Sequence, residues 1–250
     1  MPAIKLKEIS TRAPESISKE KTKGETDAML SELDDLQNLL YAENRHSLLV
    51  VLQGMDASGK DGAIREVFGK LNPQGVMVKS YKVPTEEELS HDFLWRIHSH
   101  APPKGMIQIF NRSHYEDILV TRVHKWCDNA TAHNRMDAIN DFEKLLALHN
   151  NTQILKFYLH VSPEEQMERL KERTSNPKKM WKYNEKDIEE AKYWDEYMNM
   201  YEECFSKCDY IPWHIIPSDQ NWYKEYLITK KVYETLKGLN MKYPKLKSDR

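Results

Sequence analysis

The segment from Gly54 to Lys60 has the residue types and the spacing of a phosphate-binding loop. Its sequence, GMDASGK, fits the pattern GxxxxGK and directly follows the apolar run LLVVL. Glycines allow a tight loop whose backbone N–H groups surround a phosphate, and the lysine can reach the group that is transferred. A structural glycine turn is the alternative. The residues that we predict to bind phosphate here are Gly54, Ala57, Ser58, Gly59, Lys60 and Asp61.

The residue after Lys60 is an acid, Asp61, where loops of this kind usually carry Ser or Thr. The hydroxyl group that normally binds Mg²⁺ is therefore missing, and carboxylates elsewhere must replace it. Asp56, inside the loop, is the nearest candidate. A turn in which the Asp56 side chain stabilises the loop is the alternative.

A second polar group, NRSHYED, follows the apolar run at 106–110. Ligands of open parallel sheets lie beyond the carboxyl ends of the strands. This rule places Arg112 within reach of a phosphate, and Glu116 and Asp117 where they can bind metal or ribose. We also predict that Arg122, further along the segment, faces the same cleft. The alternative is a surface arginine with two acids at a helix N-terminus.

A basic segment runs from Arg169 to Lys182, with six cations against one acid, Glu172. Arg169 and Arg173 are four residues apart, so they share one face of a helix. A basic turn between helices, in a chain with a phosphate-binding loop, is typical of a lid that closes over phosphates. We predict this lid over about residues 165–190; a solvated run of charge is the alternative.

The elements that must position these residues alternate along the chain. Helical patterns include one that begins with the capping pair Thr85 and Glu88, and others at about 114–126, 134–149 and 221–236. Alternation of strands and helices predicts an α/β fold with a parallel sheet and right-handed crossovers. The apolar runs that we predict to be strands lie at 48–52, 76–81, 106–110, 154–159 and 213–216.

Composition limits the function classes. Lys plus Arg number 37 and Asp plus Glu number 39, a net charge of −2, so the chain lacks the overall basic charge typical of nucleic-acid-binding proteins. It contains no apolar run long enough for a transmembrane helix, and its N-terminus lacks the apolar region of a secretory signal. Three cysteines cannot form a disulfide framework, which indicates thiols in the cytoplasm.

The domain organisation follows from length and polarity. Residues 1–25 are polar and contain Pro14, so we predict a mobile or loosely docked N-terminal arm. Residues 26–250 are enough for a single domain with its own core, here a P-loop kinase domain that includes the lid. The chain has neither the NKxD motif of switch GTPases nor the apolar strand ending in Asp of motor ATPases. The residues alone therefore favour phosphoryl transfer by a small-molecule kinase of the nucleoside-monophosphate-kinase type.

Four blocks of the chain, in order, resemble the polyphosphate kinase 2 family: GMDASGKDG, NPQGVMVKSYKVPTEEELSHDFLWR, FNRSHYED and RLKERTSNPKKMWK. The resemblance covers about residues 30–240, and the NRSHYED form is most similar to the class III branch. It implies a P-loop kinase fold similar to thymidylate kinase, with a five-stranded parallel sheet flanked by helices and a helical lid. It also implies transfer of the terminal phosphate of inorganic polyphosphate to AMP or ADP, which yields ATP from ADP, with Mg²⁺ or alternatively Mn²⁺.

The resemblance also implies roles for individual residues. Asp56 would match the loop aspartate that holds Mg²⁺, and Asn111 stands where other branches carry Asp, so Asp117 or water would complete the metal shell. Glu116 and Asp117 would match acids near the nucleotide and the metal, and Asn111 would join them at the nucleotide. The implied catalytic residues are Asp56, Lys60, Arg112 and Asp117. The implied lid cations on polyphosphate are Arg169, Arg173 and Lys179.

The family further suggests a homo-oligomer, either a dimer or a tetramer. From composition we expect a cytoplasmic protein with no nucleic-acid or membrane partner. Two alternatives stay open. One is an ATP-dependent nucleoside monophosphate kinase, which would share the fold and the loop but use a different donor. The other is a non-catalytic regulator that binds polyphosphate or nucleotide.

Overall fold

The structure is a computed structural model that describes residues 4–246. All five predicted strands are present and parallel, in the order β2-β3-β1-β4-β5. β1 and β4 are buried along almost their whole length, as expected for central strands covered on both faces, which explains why β1 reads as a continuous apolar run. The strands are β1 (Ser47–Gln53), β2 (Val76–Ser80), β3 (Ile107–Asn111), β4 (Thr152–His160) and β5 (Trp213–Pro217).

The central strand β1 brings the two predicted chemical segments to one edge of the sheet. It pairs with β3 on one side and β4 on the other, with Leu52 opposite Asn111 and Gln53 opposite Tyr158. The chain first builds β2 and β3 on one side of β1 and then crosses to β4 on the other. The loop after β1 and the NRSHYED segment after β3 therefore leave the sheet side by side, at a topological switch point.

Helices connect the strands and flank the sheet. A π-helical turn over Ile64–Phe68 continues α2, and 3₁₀ turns occur at Leu6–Glu8, Pro73–Gly75, His114–Asp117, Met180–Lys182 and Ala191–Tyr193. The α-helices in the described part of the chain are α1 (Lys19–Glu43), α2 (Lys60–Ala63), α3 (Glu86–Leu89), α4 (Trp95–His98), α5 (Val120–Val123), α6 (Asn129–Asn150), α7 (Pro163–Ser175), α8 (Glu185–Glu190), α9 (Trp194–Lys207) and α10 (Asn221–Gly238).

A hydrophobic core lies on each face of the sheet. Because side chains alternate along a strand, Leu49 and Val51 of β1 join one core, whereas Val50 joins the other. Helices α1 and α10 cover the Val50 face, with Leu33 and Ile228 fully buried there. The two cores hold both ends of the phosphate-binding loop on rigid elements.

Two predicted helices are interrupted, although the capping box of Thr85 and Glu88 is confirmed. The first ends after α3, because the Asp92 side chain accepts from Leu94 N at 2.9 Å and starts a new turn that leads into α4. The segment 114–126 becomes a 3₁₀ turn followed by the short helix α5. Its Tyr115 is fully buried and bonded to core residues, so tertiary contacts override the local helical pattern.

Residues 4–18 of the predicted N-terminal arm, described from the sequence as mobile or loosely docked, lie against the domain in the structure. Leu6 is buried, and its N–H donates to Glu202 at 2.8 Å. The Thr11 hydroxyl donates to Asp219, also at 2.8 Å. Helix α1 begins at Lys19, with Ser18 as its N-cap, rather than near residue 26. In the part of the chain that the structure describes, no helix has the length and apolarity needed to cross a membrane.

Candidate active site

The loop between β1 and α2 has the geometry of an anion-binding loop, and its two glycines are required. Gly54 has φ +147°, and a Cβ there would lie 2.8 Å from the carbonyl oxygen of Leu159. Gly59 has φ +98°, in the region that favours glycine. Ala57 also has a positive φ, at +60°, and Ser58 is fully buried within the loop. Backbone strain of this kind collects at binding sites.

Lys60 is folded back over this loop. Its ammonium group is buried and donates to the carbonyl oxygens of Gly54 at 2.7 Å and Met55 at 3.0 Å. Burial, together with the nearby charge of Arg112, lowers the pKa of Lys60 to about 8. The predicted phosphate lysine is thus held at the loop by two carbonyl oxygens, and Asp56, Glu116 and Asp61 attract its charge from further away.

Arg112 joins the end of β3 to the loop. It has φ +60°, an uncommon conformation for a residue other than glycine, and its N–H donates to Leu52 O at 3.0 Å. Its guanidinium donates to Asp56 and, at 3.2 Å, to Glu116. Burial alone would raise the pKa of Asp56, but the charges of Arg112 and Lys60 hold it below its usual value. The structure therefore brings four predicted site residues together, with Asp56 ionised.

Asp61, the acid in place of the usual Ser or Thr, links three elements. One oxygen accepts from the Asn111 side chain at 2.8 Å, and the other accepts from Lys182 at 2.5 Å. Burial opposes ionisation here, but these two hydrogen bonds lower the pKa of Asp61. Asn111, predicted near the nucleotide, is thus bonded to the loop, and the predicted lid contacts the loop through Lys182.

Two predicted lid cations lie in different surroundings. Arg173 donates to Asp187 at 2.5 Å. Burial raises the pKa of Asp187, and repulsion from Asp56 raises it further, so this lid pair lies near the loop aspartate. Lys179 instead pairs with Glu172 at an exposed position. Arg173 is therefore the better placed of the two to meet a phosphate at the loop.

Arg169 fastens helix α7 to the loop and to the end of β5. Its guanidinium donates to the carbonyl oxygens of Ala57 at 3.1 Å, Ser218 at 2.8 Å and Asp219 at 3.0 Å, and to Glu165 at 2.8 Å. Four acceptors fix this side chain before any ligand arrives. Arg169 is thus a structural clamp of the loop as well as a predicted phosphate ligand.

Two predicted site residues are held elsewhere. Arg122 donates to Glu203 of α9 at 2.6 Å and to Asn129, so its charge serves to join helices and does not meet the loop. Asp117 accepts from the buried Arg96 at 3.2 Å. Burial raises the pKa of Asp117, with Arg96 opposing that shift.

Asp56 and Asp117 are the two carboxylates that the sequence predicts as metal ligands. Among residues 4–246 there is no group of three or more His, Cys, Asp and Glu side chains that could bind a metal ion. Asp56 pairs with Arg112, whereas Asp117 pairs with Arg96, so the two carboxylates do not share one site. Mg²⁺ usually takes one or two carboxylates and completes its shell with water and substrate phosphates. Asp56, an ionised carboxylate in the loop, fits that donor set.

The sequence reasoning missed a second buried lysine at the loop. Lys224 lies on α10 and is 1% exposed, and its ammonium group donates to Gly59 O at 3.3 Å. A signal was present in the sequence. Lys224 stands four residues before Ile228 and eight before Val232, in line with the apolar stripe of the helix, where a lysine is out of place.

Comparison with known proteins identifies the family. The family described as Polyphosphate kinase 2 (PPK2) matches residues 16–244. The chain belongs to the polyphosphate kinase 2 family. It is 50% identical to the AMP/ADP-polyphosphate phosphotransferase of Meiothermus ruber over 214 residues, 85% of this chain and 80% of the relative. It is 42% identical to the ADP-polyphosphate phosphotransferase of Rhodopseudomonas palustris, over 85% of this chain and 78% of the relative.

A solved structure of the same family supports the fold. The crystal structure of polyphosphate kinase 2 from Arthrobacter aurescens superimposes with a TM-score of 0.95 at 38% sequence identity. The match covers all of this chain and 91% of that one. The P-loop kinase fold predicted from the sequence is therefore confirmed for this polyphosphate kinase 2 chain.

Proposed function

We propose that this chain transfers the terminal phosphate of inorganic polyphosphate to AMP and to ADP, with Mg²⁺, in the manner of the class III branch. The observation that carries the proposal is the convergence of cations from separate elements near one loop: Lys60 from the loop, Arg112 just after β3, and Arg173 and Lys182 from the predicted lid segment. A single nucleotide needs fewer cations than this. The similarity to the Meiothermus ruber enzyme named for AMP and ADP supports both acceptors.

The reaction needs no general base. The attacking group is an oxygen of the acceptor's terminal phosphate, which is already ionised at neutral pH. As its new bond to the terminal phosphorus of polyphosphate forms, the bridging P–O bond breaks, and the shortened chain leaves as a phosphate anion. Catalysis then consists of alignment and of charge neutralisation by fixed groups.

Each side chain has a definite task in this scheme. Lys60 and the loop N–H groups bind the end of the polyphosphate chain, which competes with the carbonyl contacts that Lys60 now makes. Arg112 orients the acceptor phosphate by exchanging one of its carboxylate partners for phosphate oxygens. Arg169, Arg173 and Lys179 bind the following phosphates of the donor. We assign Glu116, Asn111 and Asp117 to the nucleotide; in the structure Glu116 accepts from Gln53 at 3.0 Å.

The metal is part of the proposal, because the family relationship implies phosphoryl transfer but the comparisons name no ion. Asp56 would hold Mg²⁺, or Mn²⁺, together with substrate oxygens and water. The ion would supply positive charge at the transferred phosphate. Because Asp117 is held by Arg96, we place it second to Asp56 as a ligand.

We also propose that the protein acts in the cytoplasm as a homo-oligomer, either a dimer or a tetramer. Its three cysteines are free thiols, as expected in a reducing compartment. Light scattering coupled to gel filtration measures the oligomeric state directly.

A donor comparison tests the function. The purified protein is supplied with Mg²⁺ and AMP or ADP, with polyphosphate as donor and no ATP, and nucleotides are separated by chromatography. We expect ADP from AMP and ATP from ADP. Formation of ATP from ADP, without formation of ADP from AMP, would show that ADP is an acceptor and AMP is not. No product with polyphosphate, but turnover with ATP and a nucleoside monophosphate, would establish the ATP-dependent alternative.

A further inference from the structure

Lys224 is a buried cation beside the phosphate-binding loop, and the mechanism above assigns it no task. It lies in the first turn of α10, and only 1% of its surface is exposed. Its ammonium group donates to the carbonyl oxygen of Gly59 at 3.3 Å and to the side chain of Asn221 at 2.8 Å. It therefore reaches the loop from outside the motif.

Lys224 forms no ion pair within the described part of the chain, although the more distant carboxylates of Glu225 and Glu66 attract its charge. Among the described residues, no carboxylate oxygen lies within 4.0 Å of its ammonium nitrogen, and both of its acceptors are neutral. A lysine ammonium has three N–H donors, so one remains for another group. Burial of an unpaired charge is costly, and proteins normally remove it by pairing or by substitution with an apolar residue.

A second cation stands at the same glycine. A Cβ atom built on Gly59 would lie 2.5 Å from the Lys224 nitrogen and 3.6 Å from the Arg169 guanidinium nitrogen. Two positive groups thus flank one residue of a loop whose N–H groups already favour anions. Burial, followed by the repulsion of Arg169, lowers the pKa of Lys224 to about 8, with Glu225 opposing. An anion in the loop would relieve this repulsion.

We propose that Lys224 is a positioning residue for the donor: it fixes the Gly59 carbonyl and adds a buried positive charge, held only by neutral acceptors, behind the loop, which strengthens the binding of the polyphosphate end. The inference rests on the proposed function and deepens it. Because Lys224 acts at the loop and not at the end of β3, its charge favours the donor over the acceptor nucleotide. The Lys224 nitrogen lies where a side chain at position 59 would begin, and the positive φ of Gly59 already disfavours any such side chain.

Three variants separate the charge from the hydrogen bond. Lys224→Met removes both, Lys224→Gln keeps a neutral N–H donor, and Lys224→Arg keeps the charge. Lys230→Met removes an exposed lysine from the same helix and is the matched control. Circular dichroism and thermal unfolding report whether each variant is folded, and Lys224→Gln replaces Lys224→Met if the latter does not fold.

The steady-state constants for polyphosphate and AMP are then measured separately. We expect Lys224→Met and Lys224→Gln to raise the KM for polyphosphate about tenfold or more, as for loss of a charged contact, while the KM for AMP changes less than about twofold. Lys224→Arg should recover most of the donor affinity, and Lys230→Met should match the wild type. An unchanged donor KM, or equal changes in both KM values that Lys224→Arg does not restore, would overturn the inference.

A binding measurement tests the role of Lys224 independently of whether the proposed reaction occurs. Calorimetric titration with inorganic tripolyphosphate, without acceptor, needs no turnover. If the wild type binds tripolyphosphate but makes no product, the proposed function fails while weaker binding by Lys224→Met still supports the positioning role. Equal binding by wild type and Lys224→Met, or binding by neither, would contradict that role.

Discussion

Lys182 and Asp61, which are 121 residues apart in the chain, form an ion pair of 2.5 Å that joins the predicted lid to the phosphate-binding loop. The second oxygen of Asp61 accepts from Asn111 at the end of β3. The acid that replaces the usual loop hydroxyl therefore ties three elements together. If the predicted lid opens, this pair must break, since Lys182 lies on the 3₁₀ turn between α7 and α8.

Lys182→Met should loosen the lid without unfolding the protein. Both side chains are partly exposed, so we expect the free energy of unfolding to change by about 1 kcal/mol or less. Amide hydrogen exchange in residues 176–190 should become faster, and the KM for polyphosphate should rise. Lys186→Met is the control, because Lys186 is exposed on the same segment and no carboxylate of the described residues lies within 4.0 Å of it. Exchange rates equal to wild type would show that this pair does not hold the lid.

Substitutions of Arg169 and Arg173 should have different effects, the first mainly on stability and the second mainly on binding of the donor. Arg169→Ala removes a clamp with four acceptors, so we expect a loss of about 1–3 kcal/mol in unfolding free energy. Arg173→Ala should leave stability within about 1 kcal/mol but lower kcat/KM for polyphosphate and flatten its dependence on salt. Urea unfolding and kinetics at several salt concentrations measure the two effects. If Arg173→Ala altered only the KM for AMP, its assignment to the donor would be wrong.

Activity should fall as the pH rises through about 8. Burial and the charge of Arg112 lower the pKa of Lys60 to about 8, against the attraction of Asp56, Glu116 and Asp61, so the free enzyme loses this charge above that pH. We expect kcat/KM for polyphosphate to decrease there. The measurement is a pH profile of kcat/KM, and a value that stays constant well above pH 8 would contradict it.

The stability of the protein should change in the opposite direction over the same range. The unfolded chain keeps a proton on Lys60 up to its ordinary pKa of 10.5, whereas the folded chain releases it near 8. The unfolded state therefore binds more protons between these values, and the contribution of Lys60 to stability rises with pH. Thermal unfolding at each pH thus serves as the control that activity is not lost through unfolding at this site.

A buried network beneath the site should be sensitive to the loss of one charge. Lys156 and Glu143 are both fully buried, and the Lys156 ammonium donates to Glu143 at 2.8 Å, to the Tyr115 hydroxyl at 2.9 Å and to the carbonyl of Cys208 at 2.9 Å. Burial raises the pKa of Glu143, with Lys156 opposing. Lys156→Met leaves that carboxylate unpaired, so we expect a loss of about 3–5 kcal/mol in urea unfolding. A change below about 1 kcal/mol would mean that Glu143 is uncharged in the folded protein.

The sequence predicted those parts of the molecule that local pattern determines. The five strands are short apolar runs, and their parallel arrangement follows from the alternation of strands and helices. Asp56, Lys60 and Arg112 could be placed together from the sequence. Asp56 lies in the loop after β1, Lys60 begins α2 and Arg112 directly follows β3, and β1 and β3 end at the same edge of the sheet. These positions depend on neighbours in the chain, which a sequence displays.

The rest depends on pairs that are distant in the chain. Glu202 and Asp219 dock the N-terminal arm, and the sequence of residues 1–25 does not show these contacts. In the same way, Glu203 binds Arg122, and the segment 114–126 alone gives no sign of that partner. Lys182 belonged to a basic run that gave no reason to select one lysine over its neighbours. Lys224 was detectable only as a lysine on an apolar helical stripe, and its partner Gly59 is 165 residues away.

The central claim is that polyphosphate is the direct phosphate donor. Phosphorus NMR of purified protein with long-chain polyphosphate, Mg²⁺ and AMP, and with no ATP, observes donor and product in one sample. We predict that the internal polyphosphate signal declines while the two signals of ADP, and then the three signals of ATP, appear. Lys60→Met should show neither change. Loss of polyphosphate to free inorganic phosphate with AMP unchanged, or no reaction at all, would contradict the account.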